Sequence, residues 1–368
     1  MNQNKKLISN IDLKSQWIDE RDELMPIIDR VMSSGKFILE AECDEFEETV
    51  AKLCGVKYAA ALNSGTDALM YAMTLSGIKK GDEVITPSNS FIASTSSIVH
   101  IGATPVFVDV LPNQNLDPSK IEDAITKNTK AIMPVHLTGR VCDMDPILEI
   151  AKRHNLIVVE DAAQAIGSKY KGKLSGSIGD IGCFSTHPLK NLNACGDGGF
   201  ITTNNKNIYE NIISFRNHGK IDAYNVSHFG MVSRMDNLQA AILNFRLGKL
   251  DSLTKKRRSN AKKYLKEIDQ NKIFIPQEES YEYNTYHTFV IQTNRRDELK
   301  KHLLSKGIKT AINYPIPIHL QPASRMLGYK EGDLPVTEKQ AKEILSLPIN
   351  QYLTDTDLER VINEINSF

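Results

Sequence analysis

The sequence has 368 residues, with 45 basic and 45 acidic side chains and no formal net charge, so nothing in its overall balance draws it to nucleic acid or to an anionic membrane. Its length exceeds what one small core fills and predicts two packed units. No stretch approaches the ~20 apolar residues of a membrane span, and Met1-Asn2-Gln3-Asn4-Lys5-Lys6 has no apolar run behind it, which argues against export and membrane insertion. Before residue 50, Trp17, Leu24, Ile27, Ile28 and Val31 predict a helix packed on the main body or on a partner. From about 56 to 215, β-rich runs at 56–62, 83–86, 105–110, 130–135, 156–159, 182–185 and 200–203 alternate with helical stretches at 67–75, 92–101 and 145–153. This alternation predicts right-handed crossovers and an α/β fold, a mostly parallel sheet with helices on both faces. A long helical pattern over 237–268 reads as a bridge to a smaller α+β domain, with a strand at 286–292 and helices at 298–305, 338–345 and 355–366. The boundary is set near 245, giving a large domain over 1–245 and a small one over 246–368. Lys255-Lys256-Arg257-Arg258 on the bridge reads as a solvated face in a chain of zero net charge.

The five cysteines, Cys43, Cys54, Cys142, Cys183 and Cys195, show neither CxxC spacing nor clustered histidines. They read as reduced core thiols of a cytoplasmic protein and suggest no metal site.

One lysine carries the most chemical information. Lys190 lies in Phe184-Ser185-Thr186-His187-Pro188-Leu189-Lys190-Asn191-Leu192, after Glu160-Asp161-Ala162-Ala163-Gln164-Ala165 and just before Gly196-Asp197-Gly198-Gly199. A lysine amine can hold the aldehyde of pyridoxal phosphate as a Schiff base, while a buried aspartate keeps the pyridine nitrogen protonated. Lys190 and Asp161 are candidates for that pair. Asp161 follows the apolar run 156–159 closely, which places it at the carboxyl end of a strand, where ligands of parallel sheets bind. A carboxylate among apolar neighbours needs a cationic partner, which a protonated pyridine or a nearby Lys or Arg supplies. Asn63-Ser64-Gly65-Thr66-Asp67-Ala68-Leu69 joins a strand to a helix, so free N–H groups and hydroxyls converge there, for a phosphate or for ordinary capping. Ser185 adds a hydroxyl near Lys190. Gln164 suits the cofactor's phenolic oxygen or a plain helix start, and Phe91 suits the cofactor face or the core. His136 and His187 lie near this region and either touch substrate or pack.

Taken together, these runs resemble the DegT/DnrJ/EryC1/StrS family of sugar aminotransferases, of the aspartate aminotransferase-like fold type I of PLP-dependent transferases. The resemblance spans nearly the whole chain. It includes Ser33-Ser34-Gly35-Lys36-Phe37-Ile38-Leu39, the 63–69 turn, Gly81-Asp82-Glu83-Val84-Ile85, Pro134-Val135-His136-Leu137, the 160–165 run and the 187–199 block. Arg216-Asn217-His218-Gly219, the 233–241 run and Tyr314-Pro315-Ile316-Pro317-Ile318-His319 complete it. The resemblance implies Lys190 as Schiff-base lysine and proton shuttle, Asp161 at the pyridine nitrogen and Gln164 at the phenolic oxygen. It assigns the phosphate to Gly65, Thr66 and Ser185, and the ring face to Phe91. It further implies a homodimer, in which the 230–239 segment of one chain reaches the other's site. Two positions depart from the family pattern. Val232 stands where an asparagine is common, with Ser233 as a substitute contact from the partner chain, and Asn313-Tyr314-Pro315 replaces His-Tyr-Pro. Substrate contacts are expected at Asn313, Tyr314, His187 and His319. The implied reaction moves an amino group from an amino acid, L-glutamate foremost, to a nucleotide-linked 3-keto or 4-keto deoxysugar. Rival readings are a cyclitol or other non-nucleotide ketone as acceptor, a sugar dehydratase, against which Lys190 argues, and a non-catalytic cofactor-binding protein.

Overall fold

The computed structural model describes residues 7–368. At its centre is a seven-stranded sheet built from β1 (Tyr58–Leu62), β2 (Glu83–Pro87), β3 (Thr104–Val108), β4 (Thr129–Ile132), β5 (Ile157–Asp161), β6 (Ile181–Ser185) and β7 (Gly199–Thr203), in the order β1-β7-β6-β5-β4-β2-β3. These strands are short and almost wholly buried, as strands covered on both faces are. The pairings β2–β3, β2–β4, β4–β5 and β5–β6 are parallel, whereas β7 runs antiparallel to both of its neighbours. Helices α1 (Leu13–Ser34), α2 (Ala41–Cys54), α3 (Gly65–Leu75), α4 (Ile92–His100), α5 (Met144–His154), α6 (Lys206–Phe215) and α7 (Asn237–Leu247) accompany the sheet. Their apolar sides complete its two faces, with Leu69, Ala72 and Ile212 in one cluster and Phe46, Val50 and Leu243 in another.

A second core gathers α8 (Leu250–Glu267), the strand pair β8 (Phe289–Gln292) and β9 (Ile344–Leu347), α9 (Arg296–Ser305) and α11 (Asp355–Asn366). Tyr264, Phe289, Leu299, Leu345 and Val361 are its buried centre, and Ile8 joins it through a bridge to Ile308. The described residues before α1 thus pack with the C-terminal half of the chain through Ile8. Among the described residues, no helix is long and apolar enough to cross a membrane.

Cys43, Cys54, Cys142 and Cys183 are buried as expected, but Cys195 is exposed and not a core thiol. Three further expectations are corrected. The single helix over 237–268 is two, α7 and α8, separated by a turn at Gly248-Lys249. The helix expected at 338–345 is α10 (Pro335–Glu343) and stops where β9 begins, because Ile344 to Leu347 pair with β8. The basic run is not a uniformly solvated face, since Arg257 is buried and Arg258 pairs with Glu278 while its guanidinium lies 3.9 Å from the ring centre of Tyr283.

Candidate active site

β5 ends in Asp161, and the chain turns there with the Asp161 N–H on Pro134 O at 2.9 Å. The carboxylate is 4% exposed, accepts from Ser94 Oγ at 2.7 Å and from the Ala163 N–H at 3.2 Å, and forms no ion pair among the described residues. The Lys or Arg partner that a buried aspartate could have had is therefore missing, and the charge is left facing a cavity of about 420 Å³.

Lys190 lines the same cavity, on the connection between β6 and β7. That connection is pinned on both sides of the lysine. Asn191 Nδ2 donates to Thr285 O at 3.1 Å, and Asn193 Nδ2 donates to Gln16 Oε1 at 3.0 Å and to Pro188 O at 2.9 Å. Arg246, paired with Glu20 of α1, donates to Asn193 O. Lys190 Nζ makes no hydrogen bond or ion pair among the described residues. Burial draws its pKa down to about 8, while Asp161 works in the opposite direction.

At the start of α3, Ser64 Oγ accepts the Asp67 N–H at 3.1 Å. The earlier N–H groups of the first turn, on Gly65 and Thr66, have no carbonyl within the helix and border the cavity. Ser185, at the end of β6, stands beside them, and a Cβ on Gly65 would lie 2.7 Å from Ser185 Cβ. Only glycine lets helix start and strand end approach so closely. The result is a concave set of donors suited to a phosphate.

Gln164 borders the cavity with its Oε1 accepting the Thr138 N–H at 2.8 Å, which leaves its amide N–H₂ without a partner among the described residues. Phe91, just before α4, is half exposed with its ring 5.7 Å from that of Tyr314. Asn313, Tyr314 and His187 also line the cavity, and the Tyr314 phenol is pushed up to about 12 by burial and by Asp161.

Two expected residues are elsewhere, and His136 takes the packing alternative. Ser233 is fully buried in its own chain, accepting from the Asn63 N–H and donating to Asn63 Oδ1, each at 3.2 Å, so its hydroxyl does not reach out toward a partner. His319 is buried between Ser88, at 2.7 Å, and Glu338, at 3.1 Å, and does not border the cavity. His136 is a core residue whose Nδ1 accepts the Cys142 N–H, leaving Nε2 to donate to the buried Glu160 at 2.9 Å. Conversely, Ser94, His287 and Thr288 border the cavity without having been foreseen. The hydroxyl run Ser94-Thr95-Ser96-Ser97 on α4 was a usable signal for the first. His287 had none beyond being a histidine in an expected strand.

A family model described as the DegT/DnrJ/EryC1/StrS aminotransferase family matches residues 18–366. The chain belongs to this family. Among its relatives, the "pleiotropic regulatory protein" of Geobacillus stearothermophilus is 42% identical over 362 residues, covering 97% of each chain. The dTDP-3-amino-3,4,6-trideoxy-alpha-D-glucose transaminase of Streptomyces venezuelae is 40% identical over 362 residues, 97% of this chain and 95% of its own. The crystal structure of S. venezuelae DesV in complex with a ketimine intermediate superposes with a TM-score of 0.96 at 40% identity, over 99% of this chain and 98% of that one. Likenesses of this extent fix the fold as that of the family's aminotransferases, the fold type I arrangement expected from the sequence.

Proposed function

We propose that the protein is a pyridoxal phosphate-dependent aminotransferase that moves nitrogen from L-glutamate to a nucleotide-linked 3-keto or 4-keto deoxysugar. The observation that carries this reading is the pairing, within one cavity, of an uncompensated Asp161 with a Lys190 whose amine is drawn down to about 8. The cofactor fits the residues present. Gly65, Thr66 and Ser185 would take its phosphate, Asp161 its pyridine nitrogen, the free amide of Gln164 its phenolic oxygen, Phe91 its face, and Lys190 its aldehyde. When bound, it supplies that aldehyde together with a ring able to accept the electrons released when the donor's α-carbon loses a proton.

The chain's own groups do the rest. Lys190 Nζ, neutral in a large fraction near pH 8, removes the proton from the donor's α-carbon and delivers it again to carbon within the same half-reaction. Ser94 and the Ala163 N–H hold the Asp161 carboxylate toward the cavity, where its charge favours a protonated ring. Asn313, Tyr314 and His187 are placed to meet the keto substrate.

A second copy completes the site in this reading. Of the described side chains bordering the cavity, Lys190 is the sole Lys or Arg, yet a phosphate, a dicarboxylate and a nucleotide diphosphate are all anionic. The same chain exposes Phe229 at 100% and Tyr224 at 94% on the connection between α6 and α7, together with Leu13, Trp17, Ile18, Met25 and Met32 on α1. Such a set suits an interface between copies.

The test is spectroscopic. L-Glutamate should bleach the visible band of the cofactor-loaded protein, and one member of a panel of nucleotide-linked keto sugars should restore it. No bleaching with any amino acid would defeat the reading, and bleaching reversed only by a cyclitol ketone would replace the acceptor.

A further inference from the structure

Ser88, the residue after β2, is fully buried and grips the chain at 318–319. Its carbonyl accepts the Ile318 N–H at 2.8 Å, its hydroxyl accepts the His319 N–H at 3.0 Å, and the same hydroxyl lies 2.7 Å from His319 Nδ1. On the other side of the ring, Glu338 of α10 is 3.1 Å from His319 Nε2. A carboxylate only accepts, so Nε2 carries the donor hydrogen, and in the neutral ring Nδ1 accepts from the Ser88 hydroxyl. Glu338 in turn accepts the N–H groups of Gly332 at 2.9 Å and Leu334 at 3.2 Å. Serine, histidine and glutamate in this order have the composition of a hydrolytic triad, but exposures of 0% for Ser88 and 2% for His319 keep substrate away. These side chains fasten segments together.

What they fasten is a strap. No backbone N–H within residues 312–317 makes a hydrogen bond among the described residues, and Pro315 and Pro317 have none to give. The strap therefore depends on its two ends. One is Ala311, bonded in both directions to Ser346 of β9 in the second core, at 3.1 and 2.8 Å. The other is the grip of Ser88 on the large sheet. Beyond that grip, Ile318 and Leu334 pack with Phe107 of β3, the Phe107 N–H donates to Tyr329 Oη at 2.9 Å, and Asp109 accepts the Val336 and Thr337 N–H groups at 2.9 and 2.8 Å. Although it falls between β8 and β9 of the second core, the 318–338 excursion is thus docked along β3, the edge strand of the large sheet. Asn313 and Tyr314, the strap residues that line the cavity, hang between the two cores. Phe91, a short way beyond Ser88, meets them with its ring 5.7 Å from that of Tyr314.

We propose that His319 is a positioning residue for the keto substrate: bonded to Ser88 and Glu338, it holds the strap so that Asn313 and Tyr314 face that substrate, which His319 itself does not touch. This rests on the transaminase reading given above. Lys190, Asp161 and the 64–66 cradle, which serve both half-reactions, sit on the β6–β7 connection, on β5 and at the start of α3. Among the described residues none of them is hydrogen-bonded to the strap or to the Ser88–His319–Glu338 latch. Loosening the latch therefore weakens the acceptor's half of the reaction more than the donor's.

The experiment uses the full-length protein and the variants Ser88→Ala and His319→Phe. Ser88→Ala removes a single oxygen and keeps the proposal testable if His319→Phe does not fold. Without cofactor, hydrogen exchange of a peptide covering 316–322, read by mass spectrometry, should accelerate about tenfold in either variant, with exchange over 157–165 as in the wild type. With cofactor, rapid mixing separates the halves. Bleaching by L-glutamate should keep its rate and half-maximal concentration within about twofold, whereas the half-maximal concentration of the keto sugar that restores the band should rise about five- to tenfold. Unchanged exchange at 316–322 overturns the latch. Equal weakening of both halves, or an unchanged sugar concentration in a variant whose exchange has accelerated, overturns the positioning role. A wild-type protein that no amino acid bleaches overturns the transaminase reading together with the substrate role resting on it, and the exchange then judges the latch alone.

Discussion

Asp161 and Lys190 derive their roles from what their surroundings withhold. Among the described residues, Asp161 has two neutral donors and no ion-paired cation, and Lys190 feels the charge of Asp161 but makes no hydrogen bond. Replacing Lys190 by Ala is expected to abolish steady-state turnover and the visible band of the loaded protein, and substantial turnover in that variant would refute its assignment. Asp161→Asn keeps the shape and the Ser94 contact but removes the charge. It is expected to slow the first half-reaction by on the order of 10²–10³, measured by the rate of bleaching with glutamate. The lysine also sets a pH dependence. Its folded pKa, about 8, lies below the ordinary 10.5, so the neutral amine is scarce below pH 8 and predominates above it. Capture of pyridoxal phosphate by the cofactor-free protein should therefore accelerate as pH rises from 7 to 9. A flat profile would mean that burial does not control this amine.

At the scale of elements, the site depends on one close approach and one pinned connection. The start of α3 meets the end of β6 at Gly65, where a Cβ would press on Ser185 at 2.7 Å. Gly65→Ala is expected to cost about 1–3 kcal/mol by overpacking and to raise the dissociation constant of the cofactor's phosphate, measured by denaturation and by titration with pyridoxal phosphate. Much of this was legible. Short apolar runs bounded by turn residues placed all seven strands of the large sheet within a few residues, and the order of strand, Ser64-Gly65-Thr66 and helix located the cradle. What was not legible depends on partners distant in sequence. The reversed direction of β7 follows from its pairing between β1 and β6, which no local pattern encodes. Ile344 and Leu345 read as the tail of a helix until β8 supplied the pairing partner. His287 was silent because its place at the cavity wall is held by Arg257, 30 residues away, and by a left-handed Tyr286. Arg257 in turn was read by its charge, within a basic run, rather than by its burial.

For the whole molecule, the unbalanced features of one chain point to a second. The connection from α6 to α7 folds back on itself through bridges from Asn217 to Val232 and from Lys220 to Val226, yet it leaves Tyr224 and Phe229 almost bare. Rings so exposed gain nothing from their own fold, and their burial by another copy would stabilise the pair by roughly 25 cal/mol for each Å² of apolar surface covered. Val232, where the family commonly carries asparagine, lies on the same connection and is itself exposed. The protein is thus expected to be a dimer at micromolar concentration by light scattering. The double variant Tyr224→Asp with Phe229→Asp should shift it toward monomer while leaving far-UV circular dichroism unchanged, because neither ring belongs to either core. If the second copy also supplies cations beyond Lys190, the one Lys or Arg among the described residues of the cavity, the same variant should lose most of its cofactor affinity and turnover, and both should recover as protein concentration drives re-association. A wild-type protein that is monomeric and fully active at the lowest assay concentration would show that each chain carries a complete site, and the anion-binding groups would then have to come from a rearrangement of its own 217–234 segment.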